Sequence, residues 1–508
     1  MKKINSILIS VFHKDGLGEV IELLKCNPNI TIYSTGGTQK FLEQNGLNIE
    51  KVEDLTTYPS ILDGRVKTLH PKVFGGILAE RKEDHLEQLS QYEIPELDCV
   101  VVDLYPFEDT RAQSEDESAI IEKIDIGGIS LIRAAAKNYK DVVVIPSKDS
   151  YSELVKMLSE QDVCSTIEQR KELARKAFSI SSHYDTAIHD YFNEEIENRD
   201  VLKVSQNHSQ VLRYGENPHQ QAVYYGNLED DFEKLNGKAL SYNNLVDVDA
   251  AVEMMREFDN EKTAFIILKH TNSCGVAVRP TTVEAFSAAL EGDPISAFGG
   301  ILISNGTIDI STAEEIDKLF YEVLIAPDFT PDALEKLSKK KNRILLKKKI
   351  QPPKPYRIKS ILSGVLWQDA DLKMESTSEF EVMTQKSPSV EEMDELVFAN
   401  KCVKHVKSNT IVLTRGSQLL GMGCGQTSRV DACKQAIDKA KRMGFTLEGA
   451  VVASDAFFPF PDCVELVQKE GVRAVLQPGG SKNDHMSVDF CDKNGMAMVK
   501  TGVRHFKH

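Results

Sequence analysis

A chain of 508 residues with a formal net charge of −16 offers no general surface for nucleic acid or for an anionic membrane. Its hydrophobic share of 41% and charged share of 27% are those of a soluble globular protein, long enough for roughly two to four domains. Nine scattered cysteines with no CxxC pair argue against disulfide and zinc frameworks and fit a reducing cytoplasm.

The opening "MKKINSILISVF" has an apolar run too short for a signal peptide, broken by Ser10 and followed by "HKDG", so it reads as a first strand. No later run approaches the ~20 apolar residues of a membrane span. Up to about residue 195, β-branched runs ("SILISVF", "ITIYST", "CVVVDLY", "DVVVIP") alternate with helical patterns ("GLGEVIELLKC", "TQKFLEQNG", "SYSELVKMLSE"). That alternation predicts a doubly wound parallel sheet with its ligands at the carboxyl ends of the strands. Helical patterning continues through "KELARKAFSISSHYDTAIHDYFNEE", and the polar "ENRDVLKVSQNHSQ" then marks a boundary near residue 200. The remainder reads as mixed α/β, divided near 365 after "SKKKNRILLKKKIQPPKPYRIKS", itself read as a solvated edge and connector. No internal repeat is evident.

In the first part, "YSTGGTQK" follows a strand and opens a helix: Gly36 and Gly37 allow a tight turn, and free amides at a helix start attract an anion. "LDGRVKTLHPKVFGG" is a basic loop holding Arg65, Lys67, Thr68 and His70. Tyr105 in "DLYPF", Asp125 before a Gly-Gly helix start and Lys137 late in that helix complete the group. Each has a bland reading, as core aromatic, helix cap and surface lysine. Together at strand ends they suit a phosphate-bearing ligand and proton abstraction with oxyanion stabilisation.

The second part places polar residues where apolar runs end: "VLRYGENPHQQ", "LSYNNLVDVDAA", "IILKHTNSCG", "DPISAFGG", "HVKSNTIV", "GMGCGQTSRVDA", "SDAFFPFPD" and "TGVRHFKH". The phenylalanines of "SDAFFPFPD", read as exposed, suit stacking on a flat heterocycle.

These motifs in this order resemble the bifunctional family that joins aminoimidazole carboxamide ribonucleotide (AICAR) transformylase to IMP cyclohydrolase, and the resemblance runs from "STGGTQK" to "RHFKH". It implies a methylglyoxal-synthase-like N-terminal domain over 1–195 and a pair of cytidine-deaminase-like α/β subdomains over 200–508. The co-substrate it implies is 10-formyltetrahydrofolate, with AICAR, formyl-AICAR and IMP as ligands, no catalytic metal, and a homodimer. For formyl transfer, the motifs assign Lys269 and His270 as a proton-transfer pair and Asn409 to the formyl group. Arg213, Tyr214, Asn244, Arg429 and Arg504 would hold the nucleotide, and Phe298, Phe457, Phe460 and Asp462 would line the nucleotide and folate sites. His219 would be a structural partner in its loop. For ring closure, Asp125 would handle the amide proton, with Lys137 and Tyr105 on the departing oxygen and Lys67 and Thr68 beside them. Ser10, Lys14, Ser34, Thr35, Gly36, Gly37, Thr38 and Arg65 would hold the substrate and its phosphate.

The chain departs from the family's "SVSDKTG", reading "SVFHKDG", so Phe12 and His13 replace a small hydroxyl and a carboxylate. "GGSKND" likewise differs from the usual "GGSIRD". A ligand-sensing module is the rival for the N-terminal domain, but Asp125, Lys137 and Tyr105 together favour catalysis. A zinc deaminase needs a PCxxC pair that the chain lacks. Lys269 and His270, as neighbours, would face opposite ways on a strand, so both can serve one pocket only if regular pairing stops close to Lys269.

Overall fold

Short runs, most of them β-branched, become the strands of a parallel sheet, the central ones buried on both faces and the edge pair Glu50–Lys51 exposed. They are β1 (Ser6–Ser10), β2 (Thr31–Ser34), β3 (Glu50–Lys51), β4 (Cys99–Val102) and β5 (Val143–Ile145). All neighbours are parallel, in the order β3-β2-β1-β4-β5. Helices α1 (Gly18–Lys25), α2 (Gly36–Gln44), α3 (Gly127–Lys137), α4 (Tyr151–Ser159) and α5 (Ile167–Phe192) accompany the sheet. Val20, Leu131, Leu154 and Leu173 carry apolar faces of these helices into one core with Ile7, Val100 and Val144. The chain leaves β1 toward β2 on one side and later returns to β4 on the other. The crevice at the carboxyl ends of β1 and β4 is therefore the topological switch point, where open α/β sheets bind ligands.

This computed structural model describes residues 1–193, 200–259 and 262–508 and forms two compact units, Met1–Asn207 and His208–His508. The boundary expected at 195–200 falls largely on residues 194–199, which lie outside the described residues. No helix among the described residues is long and apolar enough to cross a membrane.

The second unit holds the pair of like subdomains that the resemblance implies, although no repeat is evident in the sequence itself. Its first half runs β6 (Phe232–Asn236), α6 (Tyr242–Arg256), β7 (Thr263–Lys269), β8 (Asn272–Arg279), α7 (Thr282–Gly292), β9 (Gly300–Ser304), β10 (Tyr321–Ala326) and β11 (Ile344–Lys348). Its second half runs β12 (Glu381–Val382), α8 (Val390–Lys404), β13 (Ile411–Thr414), β14 (Leu419–Gly423), α9 (Arg429–Arg442), β15 (Val451–Ser454), β16 (Ala474–Gln477) and β17 (Ala497–Lys500). The sheet orders are β6-β11-β10-β9-β7-β8 and β12-β17-β16-β15-β13-β14, with the same sequence of parallel and antiparallel neighbours. Detail repeats as well. Ser241 and Ser389 each close a capping box at the start of α6 and α8. Gly275 on β8 and Gly421 on β14 each lie so close to a backbone carbonyl, of Ala289 and Ala436, that any Cβ would collide with it.

Both halves pack on one core, in which Val248 and Met254 of α6 meet Leu396 and Val403 of α8. Glu257 and His405, each the first residue beyond its helix, bond to one another at 2.9 Å. The basic segment expected as a connector is partly core: Ile344, Leu345 and Leu346 of β11 are buried between β6 and β10. Residue 365 lies between the two sheets, in an exposed hairpin of Tyr356–Ile361 and Gly364–Asp369.

Candidate functional site

Loops converge on the switch point of the first unit. Asp103, directly after β4, accepts hydrogen bonds from the backbone amides of Phe12 and His13 in the loop after β1. It thereby ties the two loops together. Lys67 lies over the start of α2: a Cβ added to Gly36 would come 2.6 Å from its ammonium. Gly36 itself has φ 57°, a conformation that costs glycine nothing. Burial lowers the Lys14 pKa; Asp103 opposes this and the like charge of Lys67 adds to it. Two ammonium groups beside the first amides of a helix make an anion cradle.

The hydroxyls of "STGGT" bond within the protein. Ser34 donates to the Ile9 carbonyl (2.7 Å), Thr35 to Glu53 (2.7 Å) and Thr38 to the Val11 carbonyl (2.8 Å). These bonds hold the loops around the start of α2. Ser10 ends β1 half-buried, Thr68 is buried with its hydroxyl against Gly127, and Arg65 pairs with exposed Glu122 at 2.6 Å.

Asp125 is buried where α3 begins, accepting from the Gly128 amide at 2.6 Å. Burial raises its pKa, opposed by the amides of Gly128, Tyr105 and Ile129. It is therefore a stronger base than an exposed aspartate. Tyr105, 42% exposed, has its hydroxyl raised by burial and then by Asp125, so it stays protonated and able to donate. Lys137 does not join this group within the chain. It ends the helix that Asp125 precedes, and twelve residues at ~1.5 Å rise put roughly 18 Å between them. Its neighbour Asn138 donates to the Ile77 and Ala79 carbonyls, away from the strand ends.

In the second unit, regular pairing of β7 with β8 ends at the pair Lys269–Asn272. His270 and Thr271 form the tip, both left-handed, with φ 52° and 62°. Lys269 donates to the Phe298 carbonyl at 2.7 Å, and Phe298, 59% exposed, leans on Phe320 at 5.0 Å. Asp247 of α6 accepts from the Thr271 amide at 2.7 Å and holds the tip. Asn244, expected to touch nucleotide, is the N3 residue of the α6 capping box. Arg213 donates to the Tyr214 hydroxyl at 2.8 Å and lies 4.7 Å from that ring's centroid. Their loop is closed by Gln220, which takes the Asn217 amide at 2.9 Å, while His219 is exposed. Asn243 donates to Glu216 in the same loop at 3.2 Å, bringing it to the start of α6.

The Lys407 amide donates to Asn272 at 3.3 Å and links this group to a second one around Asn409. Asn409 donates to the Gln426 carbonyl (3.0 Å) and accepts from Arg429 (2.8 Å). Arg429, expected on the nucleotide, is buried and spends its guanidinium on Asn409, Ser454 and the buried carboxylate of Asp455. Of the phenylalanines in "SDAFFPFPD", Phe457 and Phe460 are exposed, whereas Phe458 is core. Asp462 accepts from the Cys463 amide at the first turn of its helix (2.8 Å). Arg504 stacks on Phe506 at 4.4 Å. Asp103, Asp247 and Asp455 were not singled out from sequence. The one available signal was a carboxylate where a strand-like run ends, directly after it at Asp103 and one serine later at Asp455, which the helical Asp247 lacks.

The sequence model of the AICARFT/IMPCHase bienzyme matches residues 135–439, and that of an MGS-like domain matches residues 19–130. The bifunctional purine biosynthesis protein PurH of Bacteroides thetaiotaomicron is 55% identical over 508 residues, covering 100% of this chain and 99% of that protein. The chain belongs to the AICARFT/IMPCHase bienzyme family. Its PurH relatives in Acetivibrio thermocellus and Clostridium perfringens are each 45% identical, over 99% of this chain and 100% and 99% of theirs. As a member of this family it is a bifunctional purine biosynthesis enzyme, an AICAR formyltransferase and IMP cyclohydrolase. Among the described residues, no group of three or more His, Cys, Asp and Glu is placed to hold a metal ion.

Proposed function

We propose that each compact unit of this bienzyme carries one of the two reactions. What supports this is that the two polar clusters fall in separately folded units, Asp125 with Tyr105 in one and the Lys269–His270 tip in the other. In the second unit the amino group of AICAR attacks the formyl carbon of 10-formyltetrahydrofolate. His270 takes the proton from the amine, Lys269 and Asn409 stabilise the oxyanion, and the C–N10 bond breaks as N10 is protonated. Lys269 can reach this role by leaving its Phe298 carbonyl partner. In the first unit the carboxamide nitrogen of formyl-AICAR attacks the formyl carbon. Asp125 accepts its proton while Tyr105 protonates the former formyl oxygen. Asp125 then returns a proton to the resulting hydroxyl, which departs as water as the formamide nitrogen gives up its remaining proton to the Tyr105 phenolate, leaving the C=N bond of IMP. Lys14, Lys67 and the α2 amides hold the phosphate.

The working enzyme is a cytoplasmic homodimer in this reading. Asp125→Asn should stop ring closure, lowering it about 10²–10⁴-fold, and leave formyl transfer intact, while His270→Ala should do the reverse. Equal damage to both steps by either variant contradicts the assignment of separate sites. Partial recovery of formyl transfer on co-expressing two inactive C-terminal variants would support the dimer.

A further inference from the structure

Phe12 and His13 depart from the family's opening motif, and the fold gives each a task. Asp103 accepts from the Phe12 amide and, at 3.0 Å, from the His13 amide, and its carboxylate pairs with His13 Nδ1 at 2.7 Å. Lys14 donates to the Phe12 carbonyl at 2.9 Å and also to the Val11 carbonyl. The Phe12 backbone is thus held through its amide and its carbonyl, and its ring meets His13 edge-on, with centroids 5.0 Å apart. That ring is 40% exposed. It meets Tyr105 edge-on, with centroids 5.4 Å apart at 72°. The Lys123 ammonium lies 5.3 Å from the Phe12 centroid and 5.7 Å from that of Tyr105.

An aromatic ring left partly exposed beside Tyr105 at the switch point offers apolar surface that a flat heterocycle gains by covering. The serine of the family motif would supply a hydroxyl here; phenylalanine supplies a face and no donor. We propose that Phe12, beside Tyr105, is the wall against which the imidazole and then the purine ring of the cyclohydrolase ligands stacks. The phosphate in this chain is then left to Lys14, Lys67 and the α2 amides. The proposal rests on reading this pocket as the cyclohydrolase site.

Inhibition of ring closure by IMP and by ribose 5-phosphate tests it in the full-length enzyme, because the two ligands share a phosphate and differ in the base. Phe12→Ala should raise the inhibition constant of IMP and the KM of formyl-AICAR about tenfold. The constant for ribose 5-phosphate and the kcat should stay within about twofold. Phe12→Tyr should keep wild-type values, and Phe12→Leu should lose most of what alanine loses. Full retention by leucine, equal weakening of both ligands, or no change for IMP would each overturn the proposal. Lys67→Ala separates this from failure of the site itself: it should weaken both ligands together, and if it moves neither, the phosphate pocket has been misassigned.

Discussion

In the first half of the C-terminal unit the hairpin tip between β7 and β8 carries His270 and Thr271, and in the second half the equivalent tip carries Gly416 and Ser417. Both tips are left-handed, and each is held by a carboxylate at the same offset along its helix: Asp247 to Thr271 and Glu395 to Ser417, both at 2.7 Å. Glycine adopts this conformation freely, whereas a β-branched residue such as Thr271 is strained there. The second tip is spent on docking. The Gly416 carbonyl takes Arg279 of the first half at 2.8 Å, and the Ser417 carbonyl takes the Val278 amide at 3.0 Å. Of the two tips, the first places two side-chain-bearing residues, one of them β-branched, in this conformation, and the second places one beside a glycine. A shared backbone therefore does not make two sites; the side chains at the tip decide which half works.

Substitutions at equivalent places test that asymmetry. His270→Ala should remove about 10²–10⁴ of transformylase activity, whereas Ser417→Gly should change it less than about twofold, since a free turn conformation is restored. Comparable losses from both would abolish the distinction. The carboxylates should divide in the same way. Asp247→Asn loosens the His270 tip and should lower transformylase kcat roughly tenfold. Glu395→Gln weakens a structural bond to charge, costing about 1.5–3 kcal/mol, read as a lower urea midpoint with kcat preserved.

The smallest effect is one of pH, and it belongs to the second half. Burial pushes His505 down, but its bonds to Asp371 (2.6 Å) and Glu375 (3.2 Å) outweigh this and raise it to about 9. A raised histidine contributes its full stability below its unfolded pKa of ~6.5 and loses it as pH rises through 9. His405 is lowered to about 4, chiefly by burial. The unfolded chain therefore binds the extra proton between ~6.5 and 4, and stability falls as pH falls through that window. Melting of the C-terminal unit should peak between these limits. His505→Gln should remove the alkaline decline and leave the acid one.

The strand runs of the first unit and the end of pairing at Lys269 could be read from sequence because hydrophobic pattern and turn residues encode them locally. The duplication is legible only through the family resemblance, which implies a pair of like subdomains, and not as a repeat in the sequence itself. Its two copies share sheet order, capping boxes and carboxylate-held tips, yet fill them with different residues: Asp247 against Glu395, His270 against Gly416. Nor does a motif reveal where a polar atom bonds before a ligand arrives: Ser34, Thr35, Thr38 and Arg429, expected at ligands, each have a partner within the protein. Lys137 shows the remaining limit: the family pattern groups it with Asp125, while the helix rise within the chain sets the two roughly 18 Å apart.

Glu257 and His405 occupy matching positions in the two halves and bond to each other. Where two identical chains meet about a twofold axis, the residue on the axis faces its own copy. A duplication inside one chain escapes that rule and can set acid against imidazole. The C-terminal unit consequently cannot be rebuilt from two copies of one half. Two first halves would oppose Glu257 to Glu257, and two second halves would oppose His405 to His405.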